Sequence, residues 1–235
     1  PAKNFQPSSG LLTEVRFPPG VRAETAVTTG SEVPPYYDPM VAKLIAHGAT
    51  RGEARRRLLH GLQDTQALGI RTNQHFLQRC LAHPAFVHGE ATTAFVGEHL
   101  DALLACDDDS RDVALAAVAL LAAGRGMPSP LTHGLASPLR FALDGQVHSA
   151  QATAHRGARW SVRAGEQTWH LGLLASADDH LRIAWEGDGN TPARHETLDF
   201  CREPGSDALL LHARGRARRV EDLSRHSAMP AGAAA

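Results

Sequence analysis

Lysine is almost missing from this chain of 235 residues: of its 24 basic side chains only Lys3 and Lys43 are lysines, and the others are arginines. A phosphate-binding loop of the G-x-x-x-x-G-K-[ST] type needs a lysine behind a glycine-rich turn. The sequence contains neither that motif nor G-x-G-x-x-G. We therefore predict that the chain has no self-contained nucleotide-hydrolysing site.

Strong net charge and long apolar runs are also missing. The 24 basic residues are balanced by 25 acidic ones, for a formal net charge of −1, whereas a general nucleic-acid binder shows a positive excess. The longest nearly apolar run, residues 113–123, is far too short to span a bilayer. These absences predict no nucleic-acid partner and no membrane partner.

Cysteines and metal-binding motifs are sparse. The three cysteines, Cys80, Cys106 and Cys201, form no C-x-x-C unit, so a reducing, cytoplasmic environment is the simplest interpretation. None of the 14 histidines lies in an H-x-H or H-E-x-x-H motif, and we predict no metal site. Because the chain starts at Pro1 without a signal segment or an initiator methionine, we expect a piece of a longer protein.

Helical spacing of apolar residues characterises the first part of the chain from Arg51 onward. Thr50 and Glu53 form a capping-box pattern, which predicts a helix that runs from there towards a stop at Gly69. Further helices are predicted from residue 73 to 83 and from about residue 92. Residues 40–46 fit either a short helix or a buried strand.

The second part combines one apolar helix with many turn signals. Residues 113–123 are alanine, leucine and valine on almost every face, which indicates a buried helix. Turn signals then recur every 8–12 residues over 137–223, a pattern typical of an antiparallel barrel or sandwich. We predict an α+β protein with a first domain over 1–105, a barrel around one helix over 106–225, and a linker over 226–235.

Two sets of side chains in the barrel segment have structural interpretations. Arg214, Arg216 and Arg218 would share one face of a strand, which predicts exposed barrel surface or, as an alternative, a surface for an acidic partner. The tryptophans alternate with polar residues and are predicted in the core. They are Trp160, Trp169 and Trp185.

Four motifs in the first part resemble one known family. They are Pro1-Ala2-Lys3-Asn4-Phe5-x-Pro-Ser-x-Gly10, Gly20-Val21-Arg22, Gly30-Ser31-x-Val33-x-Pro35-Tyr36-Tyr37-Asp38-Pro39-Met40-x-Ala42-Lys43-Leu44-Ile45, and Gly69-Ile70-Arg71-Thr72-Asn73. In order and spacing they resemble the C-terminal subdomain of biotin carboxylase. The apolar helix and the strands after it resemble the linking (BT) domain of acyl-CoA carboxylase α subunits. Among these enzymes we favour 3-methylcrotonyl-CoA carboxylase, with propionyl-, acetyl- and geranyl-CoA carboxylases left open.

The resemblance implies roles for particular residues. Arg22, in the Gly-Val-Arg motif, is the expected catalytic residue, because a permanently charged, planar donor suits the enolate-like oxygen that forms when the ureido nitrogen of biotin is deprotonated. Thr93 is expected beside the adenine pocket, although a helix cap near Thr92 explains this segment equally well. For Lys43 we expect an ion pair rather than a ligand role. Arg51 is expected at the surface, with contact to a second biotin carboxylase domain as an alternative.

Cofactors and partners follow from the same resemblance. Biotin would be carried by a separate carrier domain, ATP and Mg would be bound mainly by domains outside this sequence, and bicarbonate would be a substrate. The expected partners are a carboxyltransferase β subunit, the biotin carrier domain and, as an option, a second biotin carboxylase domain. We expect the chain alone to be inactive, within a ligase that forms a C–N and then a C–C bond. Two alternatives are a non-catalytic assembly module and a small-ligand barrel.

Overall fold

The computed structural model describes residues 6–36, 40–105, 109–125, 134–186 and 193–224. The predicted linker over 226–235, Cys106 and motif residues 1–5 and 37–39 lie outside these ranges. The chain divides into two units. The first combines residues 1–107 with 212–217, and the second combines 108–211 with 218–235.

The first unit contains three two-stranded antiparallel sheets and five helices among its described residues up to position 105. Its strands are β1 (Gly10–Leu11), β2 (Glu14–Arg16), β3 (Arg22–Thr25), β4 (Glu32–Val33), β5 (Ala42–Ile45) and β6 (Gln66–Leu68). Its helices are α1 (Arg51–Asp64), α2 (Gln74–Ala82), α3 (Pro84–His88), α4 (Phe95–Glu98) and α5 (Leu100–Leu104). The pairs are β1 with β4, β2 with β6, and β3 with β5.

Helix α1 begins where the capping pattern predicts. The Thr50 hydroxyl accepts a hydrogen bond from the backbone N–H of Glu53 at 3.2 Å, and the Glu53 carboxylate accepts one from the N–H of Ala49 at 2.9 Å. The predicted end near Gly69 is wrong, because α1 stops at Asp64 and the next residues form β6. All three residues of β6 are buried, so pairing with β2 outweighs continuation of the helix.

Gly69 marks a chain reversal after β6. Its φ is 107°, a left-handed conformation that favours glycine, and a Cβ at this position would collide with the carbonyl oxygen of Leu11. Ala67 before Gly69 and Ile70 after it belong to a small core with Leu12 and Val33.

The other predicted helices of this unit have mixed outcomes. The second prediction is confirmed as α2, and the ambiguous residues 40–46 contain strand β5. The single helix expected from about residue 92 is wrong: it is broken into α4 and α5, because the backbone leaves the helical conformation at His99 (φ −117°, ψ 14°). Helix α3 was not predicted. It begins at Pro84 after His83, whose ring accepts a hydrogen bond from the N–H of Ala85 at 3.3 Å.

Most of the second unit belongs to a closed antiparallel barrel of eight strands. The strands are β7 (Ala136–Leu143), β8 (Gln146–His155), β9 (Arg159–Ala164), β10 (Gln167–Ser176), β11 (His180–Trp185), β12 (Arg194–Arg202), β13 (Leu209–Ala213) and β14 (Arg216–Asp222). They follow one another in chain order around the barrel, and β14 closes on β7. The predicted barrel is confirmed, and the sandwich alternative is wrong.

Helix α6 (Ser110–Leu120), with a π-helical turn (Leu121–Arg125) after it, is the apolar helix of this unit. It contacts strands β7 to β10 and β12, and Ala114, Ala116 and Ala117 are all 0% exposed. Short alanine side chains let the helix fit inside the ring of strands, and the predicted buried helix is confirmed. Among the described residues, no helix combines the length and apolar character needed to cross a membrane.

The prediction for the arginines near the end of the barrel is wrong for Arg218. Its side chain is only 19% exposed and pairs with Asp109, Asp112 and Asp144. Arg214 lies in a turn with φ 51°, before β14 begins, so the three arginines do not all lie on one strand. Two of the three carboxylates belong to the start of α6 or its N-cap, and their charge draws the guanidinium inward.

Tryptophans form part of the barrel core, as predicted. Trp160 is 3% and Trp185 is 6% exposed, and the half-buried Trp169 packs edge-on against Trp185 with ring centroids 5.5 Å apart. The indole N–H of Trp185 donates to Glu196 at 2.7 Å, and Arg111 pairs with the same carboxylate. These contacts tie the start of α6 to β11 and β12.

Candidate functional site

Arg22 opens strand β3, just after a reversal at Gly20, where φ is 93°. Strand β3 pairs antiparallel with β5, so that Arg22 lies opposite Ile45 and Glu24 lies opposite Lys43. Side chains two residues apart share a strand face, and directly paired residues project from the same face. The register therefore places Arg22, Glu24 and Lys43 together.

Glu24 joins the two cations. Nη2 of Arg22 lies 3.0 Å from Oε1 of Glu24, and Nζ of Lys43 lies 2.7 Å from Oε2, so each carboxylate oxygen has one cationic partner. We call these three residues the β3–β5 ion triad. Their side chains are 69%, 45% and 58% exposed for Arg22, Glu24 and Lys43. Exposed ion pairs add little to stability, so the main consequence of the triad is where it places the Arg22 guanidinium.

The triad keeps Glu24 ionised. The hydrogen bond from Lys43 and its charge, with a smaller contribution from the charge of Arg22, hold the pKa of Glu24 below its ordinary value. Slight desolvation acts in the opposite direction and does not reverse the shift. The triad therefore carries one carboxylate and two cations at neutral pH, a net charge of about +1.

Arg22 has donors to spare. Within the part of the chain that the structure describes, its ion pair is with Glu24, whereas a guanidinium offers five N–H donors. The remaining donors belong to a side chain that is 69% exposed. A permanently charged planar donor in this position can bind an oxyanion.

The backbone on either side of the triad is held in place. Val21 packs on α1 at Gly61, where a Cβ would come within 2.5 Å of a Val21 methyl carbon. At the other end of β3, the hydroxyl of Thr25 donates to the carbonyl of Val41 at 2.8 Å. These contacts fix the strand that carries Arg22.

Thr93 lies on a different element, in the exposed turn before α4. The neighbouring Thr92 hydroxyl accepts a hydrogen bond from the N–H of Ala94 at 3.2 Å, and Phe95, only 6% exposed, anchors the turn. The structure thus brings Lys43, and not Thr93, to the carboxylate that Arg22 contacts.

Lys43 makes an ion pair with Glu24, as expected. The contacts of Arg51 are with other residues of the same chain. The Arg51 guanidinium donates to the backbone carbonyls of Val87 at 3.0 Å and Phe86 at 2.6 Å. It also lies 5.0 Å from the centre of the Phe86 ring. Arg51 therefore connects the start of α1 to the end of α3.

Glu24 is the member of the triad that the sequence does not single out. Opposite charges two residues apart are a weak signal, and the sequence analysis predicted no strand at these positions. The sequence left residues 40–46, which contain the partner strand β5, as either helix or strand. The pairing of Glu24 with Lys43 could therefore not be predicted. Across the described ranges, no group of three or more His, Cys, Asp or Glu side chains is arranged to hold a metal ion.

Comparison with known proteins gives matches for the first part of the chain. Residues 1–98 match the family described as biotin carboxylase C-terminal domain. The chain is 48% identical over 98 residues to a biotin carboxylase of Halalkalibacterium halodurans, an alignment that covers 41% of this chain and 22% of that protein.

Two further relatives are α subunits or chains of acyl-CoA carboxylases. Identity is 40% over 128 residues to the mitochondrial methylcrotonoyl-CoA carboxylase subunit alpha of Dictyostelium discoideum, covering 52% of this chain and 18% of that one. It is 29% over 217 residues to the propionyl-CoA carboxylase alpha chain of Ruegeria pomeroyi, covering 81% and 28%. The latter alignment extends into the barrel. The chain spans less than a third of the length of each of these relatives.

A solved structure gives a similar partial match. The biotin carboxylase domain of Hydrogenobacter thermophilus 2-oxoglutarate carboxylase, crystallised with MgADP, ADP and bicarbonate, is 30% identical with a TM-score of 0.43. The match covers 46% of this chain and 24% of that domain.

Proposed function

We propose that the chain, whose residues 1–98 match the family described as biotin carboxylase C-terminal domain, is part of the α subunit of a biotin-dependent acyl-CoA carboxylase. In this proposal, a first domain over 1–105 closes one wall of the site where biotin is carboxylated with ATP. A second domain over 106–225 docks a carboxyltransferase β subunit, and 226–235 lead towards a biotin carrier domain. The exposed guanidinium of Arg22, held by Glu24, is the observation that carries the proposal.

Arg22 is the proposed catalytic residue. When bound, biotin would supply the ureido group that is carboxylated. Arg22 would donate hydrogen bonds to the ureido oxygen, and because its charge and orientation are preset by β3 and Glu24, little reorganisation would be needed as negative charge develops there. The outward-facing guanidinium fits this anionic group. Thr93 borders the adenine pocket in this proposal and contributes packing only.

Other parts of the reaction are assigned to other domains. From the resemblance to biotin carboxylase, we assign binding of ATP and Mg mainly to other domains of the enzyme, and bicarbonate is the co-substrate. We expect the chain alone to be inactive in carboxylation. A second biotin carboxylase domain is a further proposed partner. A cytoplasmic location remains a prediction from the scattered cysteines.

The acyl-CoA is proposed from the relatives. The Dictyostelium relative favours 3-methylcrotonyl-CoA, and the longer alignment with the Ruegeria chain supports propionyl-CoA as the alternative. Acetyl- and geranyl-CoA remain further alternatives.

Replacement of Arg22 by alanine in the complete α subunit tests the catalytic role. We expect ATP-dependent carboxylation of free biotin to fall by about 100-fold or more, as when an oxyanion donor is removed, with assembly unchanged. Arg56→Ala is the matched control, because Arg56 is an exposed arginine of α1. Normal turnover of the Arg22 variant would reject the catalytic proposal.

A second candidate function is a non-catalytic assembly module that binds the β subunit. The extension of the Ruegeria alignment into the barrel supports the docking role that both proposals share, and the Arg22 test above separates them. Purified β subunits of the methylcrotonyl and propionyl types should be tested for co-elution with the 235-residue chain in gel filtration. Co-elution with one type supports docking and indicates the acyl-CoA, whereas co-elution with neither opposes it. The small-ligand barrel loses support, because α6 occupies the barrel interior.

A further inference from the structure

We propose that Glu24 is a positioning residue for Arg22, and that it can serve this purpose only with a lysine at position 43. This inference rests on the proposed function of Arg22. It adds two residues to the site with distinct roles, since Glu24 orients the guanidinium and Lys43 occupies the second carboxylate oxygen.

The division of the carboxylate is the first argument. Oε1 of Glu24 faces Arg22 at 3.0 Å and Oε2 faces Lys43 at 2.7 Å. An ammonium group is a compact charge that can satisfy one oxygen, whereas a guanidinium is a planar fork that binds both oxygens of a carboxylate. An arginine at position 43 would compete for Oε1, and Arg22 would lose its partner.

The strand register is the second argument. Glu24 and Lys43 are directly opposite on β3 and β5, the arrangement in which cross-strand side chains are closest. Lys43 therefore reaches Glu24 from the neighbouring strand, while Arg22 approaches along the same strand from two residues away. The two directions of approach bring the cations to different oxygens.

Composition is the third argument. Arginine fills nearly every basic position, and Lys43 is one of only two lysines among 24 basic residues. Either lysine or arginine can form an exposed ion pair. The presence of lysine at position 43, in a chain that otherwise uses arginine almost throughout, therefore needs a local explanation. The need to leave Oε1 to Arg22 supplies one.

Net charge is the fourth argument. With Lys43 present, the triad has two cations and one carboxylate, and an approaching oxyanion meets a positive site. Without Lys43, the Glu24 carboxylate would cancel the charge of Arg22. Lys43 thus allows a carboxylate to orient the catalytic guanidinium without neutralising the site.

The test uses the complete α subunit and compares Arg22→Ala, Glu24→Gln, Lys43→Arg and the double variant Glu24→Gln/Lys43→Arg. The readout is carboxylation of free biotin, with kcat and the KM values for biotin and MgATP measured separately. Because misplacement of a catalytic group slows the chemical step, we expect Glu24→Gln and Lys43→Arg each to lower kcat by about tenfold, with the KM for MgATP unchanged. In the double variant, the guanidinium at position 43 has no carboxylate to bind. Its kcat should therefore be no lower than that of Glu24→Gln.

Arg56→Lys is the matched exchange of one basic residue for the other at an exposed position, and it should have no effect. A role of Lys43 in charge or stability alone predicts normal activity of Lys43→Arg, because the charge is kept. If Arg22→Ala is inactive but Lys43→Arg and Glu24→Gln work normally, this inference is overturned and the proposed function survives. If Arg22→Ala is itself active, the proposed function fails and the inference falls with it.

Discussion

Replacing Arg218 by leucine removes a cation that three carboxylates of the barrel share. Its Nε donates to Asp112 at 2.9 Å, its Nη1 donates to Asp144 at 2.8 Å, and its Nη2 contacts Asp109. Burial by itself would lower the pKa of the Arg218 guanidinium. The hydrogen bond to Asp144 and the charges of Asp112 and Asp109 outweigh burial, so the pKa lies above its ordinary value. The guanidinium is therefore charged wherever the protein is folded.

The pair with Asp112 accounts for most of the expected loss of stability. The side chains of Asp112 and Arg218 are 11% and 19% exposed, and removal of one partner of a buried pair costs about 3–5 kcal/mol. Asp109 and Asp144 are 46% and 32% exposed, so solvent screening limits their share to about 1 kcal/mol or less each. Leucine preserves much of the apolar packing of the arginine stem. We expect the free energy of unfolding of the barrel to fall by about 3 kcal/mol.

Urea unfolding followed by tryptophan fluorescence measures this loss, because all three tryptophans lie on barrel strands. With an m-value of about 1–3 kcal/mol/M, the midpoint should fall by about 1 M or more. Arg219→Leu is the matched control: Arg219 is 42% exposed and pairs with Glu203 and Glu221, so we expect a loss below about 1 kcal/mol. Adding Asp112→Asn to Arg218→Leu should restore part of the stability. Equal losses for Arg218→Leu and Arg219→Leu would refute the reasoning.

Three further predictions concern stability and can be checked on the same chain. Gly61→Ala should destabilise α1 by about 1–3 kcal/mol, because the added Cβ would collide with Val21, even though alanine has the better helix propensity. Hydrogen exchange of α1 should show the loss, and Val21→Ala should relieve it. If Gly61→Ala alone stabilised the protein, that result would contradict the contact. Gly69→Ala should lower protection of β6 by at least about 2 kcal/mol, because φ is 107°; unchanged exchange rates would disprove this strain. The hydrogen bond from Arg219 holds the pKa of Glu203 below its ordinary value, so the contribution of this pair is present above the unfolded-state pKa and is lost as the pH falls through the folded-state pKa. Glu203→Gln should therefore flatten the acid limb of urea midpoints measured at stepped pH, and an unchanged limb would oppose the assignment.

Local patterns were enough to predict several elements. The capping box at Thr50 and Glu53 predicts the start of α1, because a cap depends on residues within one turn. The apolar helix and the turn-separated strands predict a barrel around α6, because a helix that is apolar on every face must be enclosed. The resemblance of the first motifs to biotin carboxylase is confirmed for residues 1–98.

Other elements depended on distant partners. Residues 66–68 form β6 instead of extending α1, since pairing with β2 buries all three of them. Arg218 lies inward because carboxylates at the start of α6 approach it in the folded barrel, more than 100 positions away in the sequence. Neither outcome is visible in a local window.

The candidate site shows the same division between sequence and tertiary structure. The sequence by itself determined that Arg22 lies in a Gly-Val-Arg motif and that lysine is nearly absent elsewhere, because motifs and composition need no partner. Only the tertiary structure decided that Glu24 lies between Arg22 and Lys43. The register of β3 against β5 brings positions 24 and 43 opposite each other, and a register is a property of two paired strands, whose contacts neither strand encodes alone.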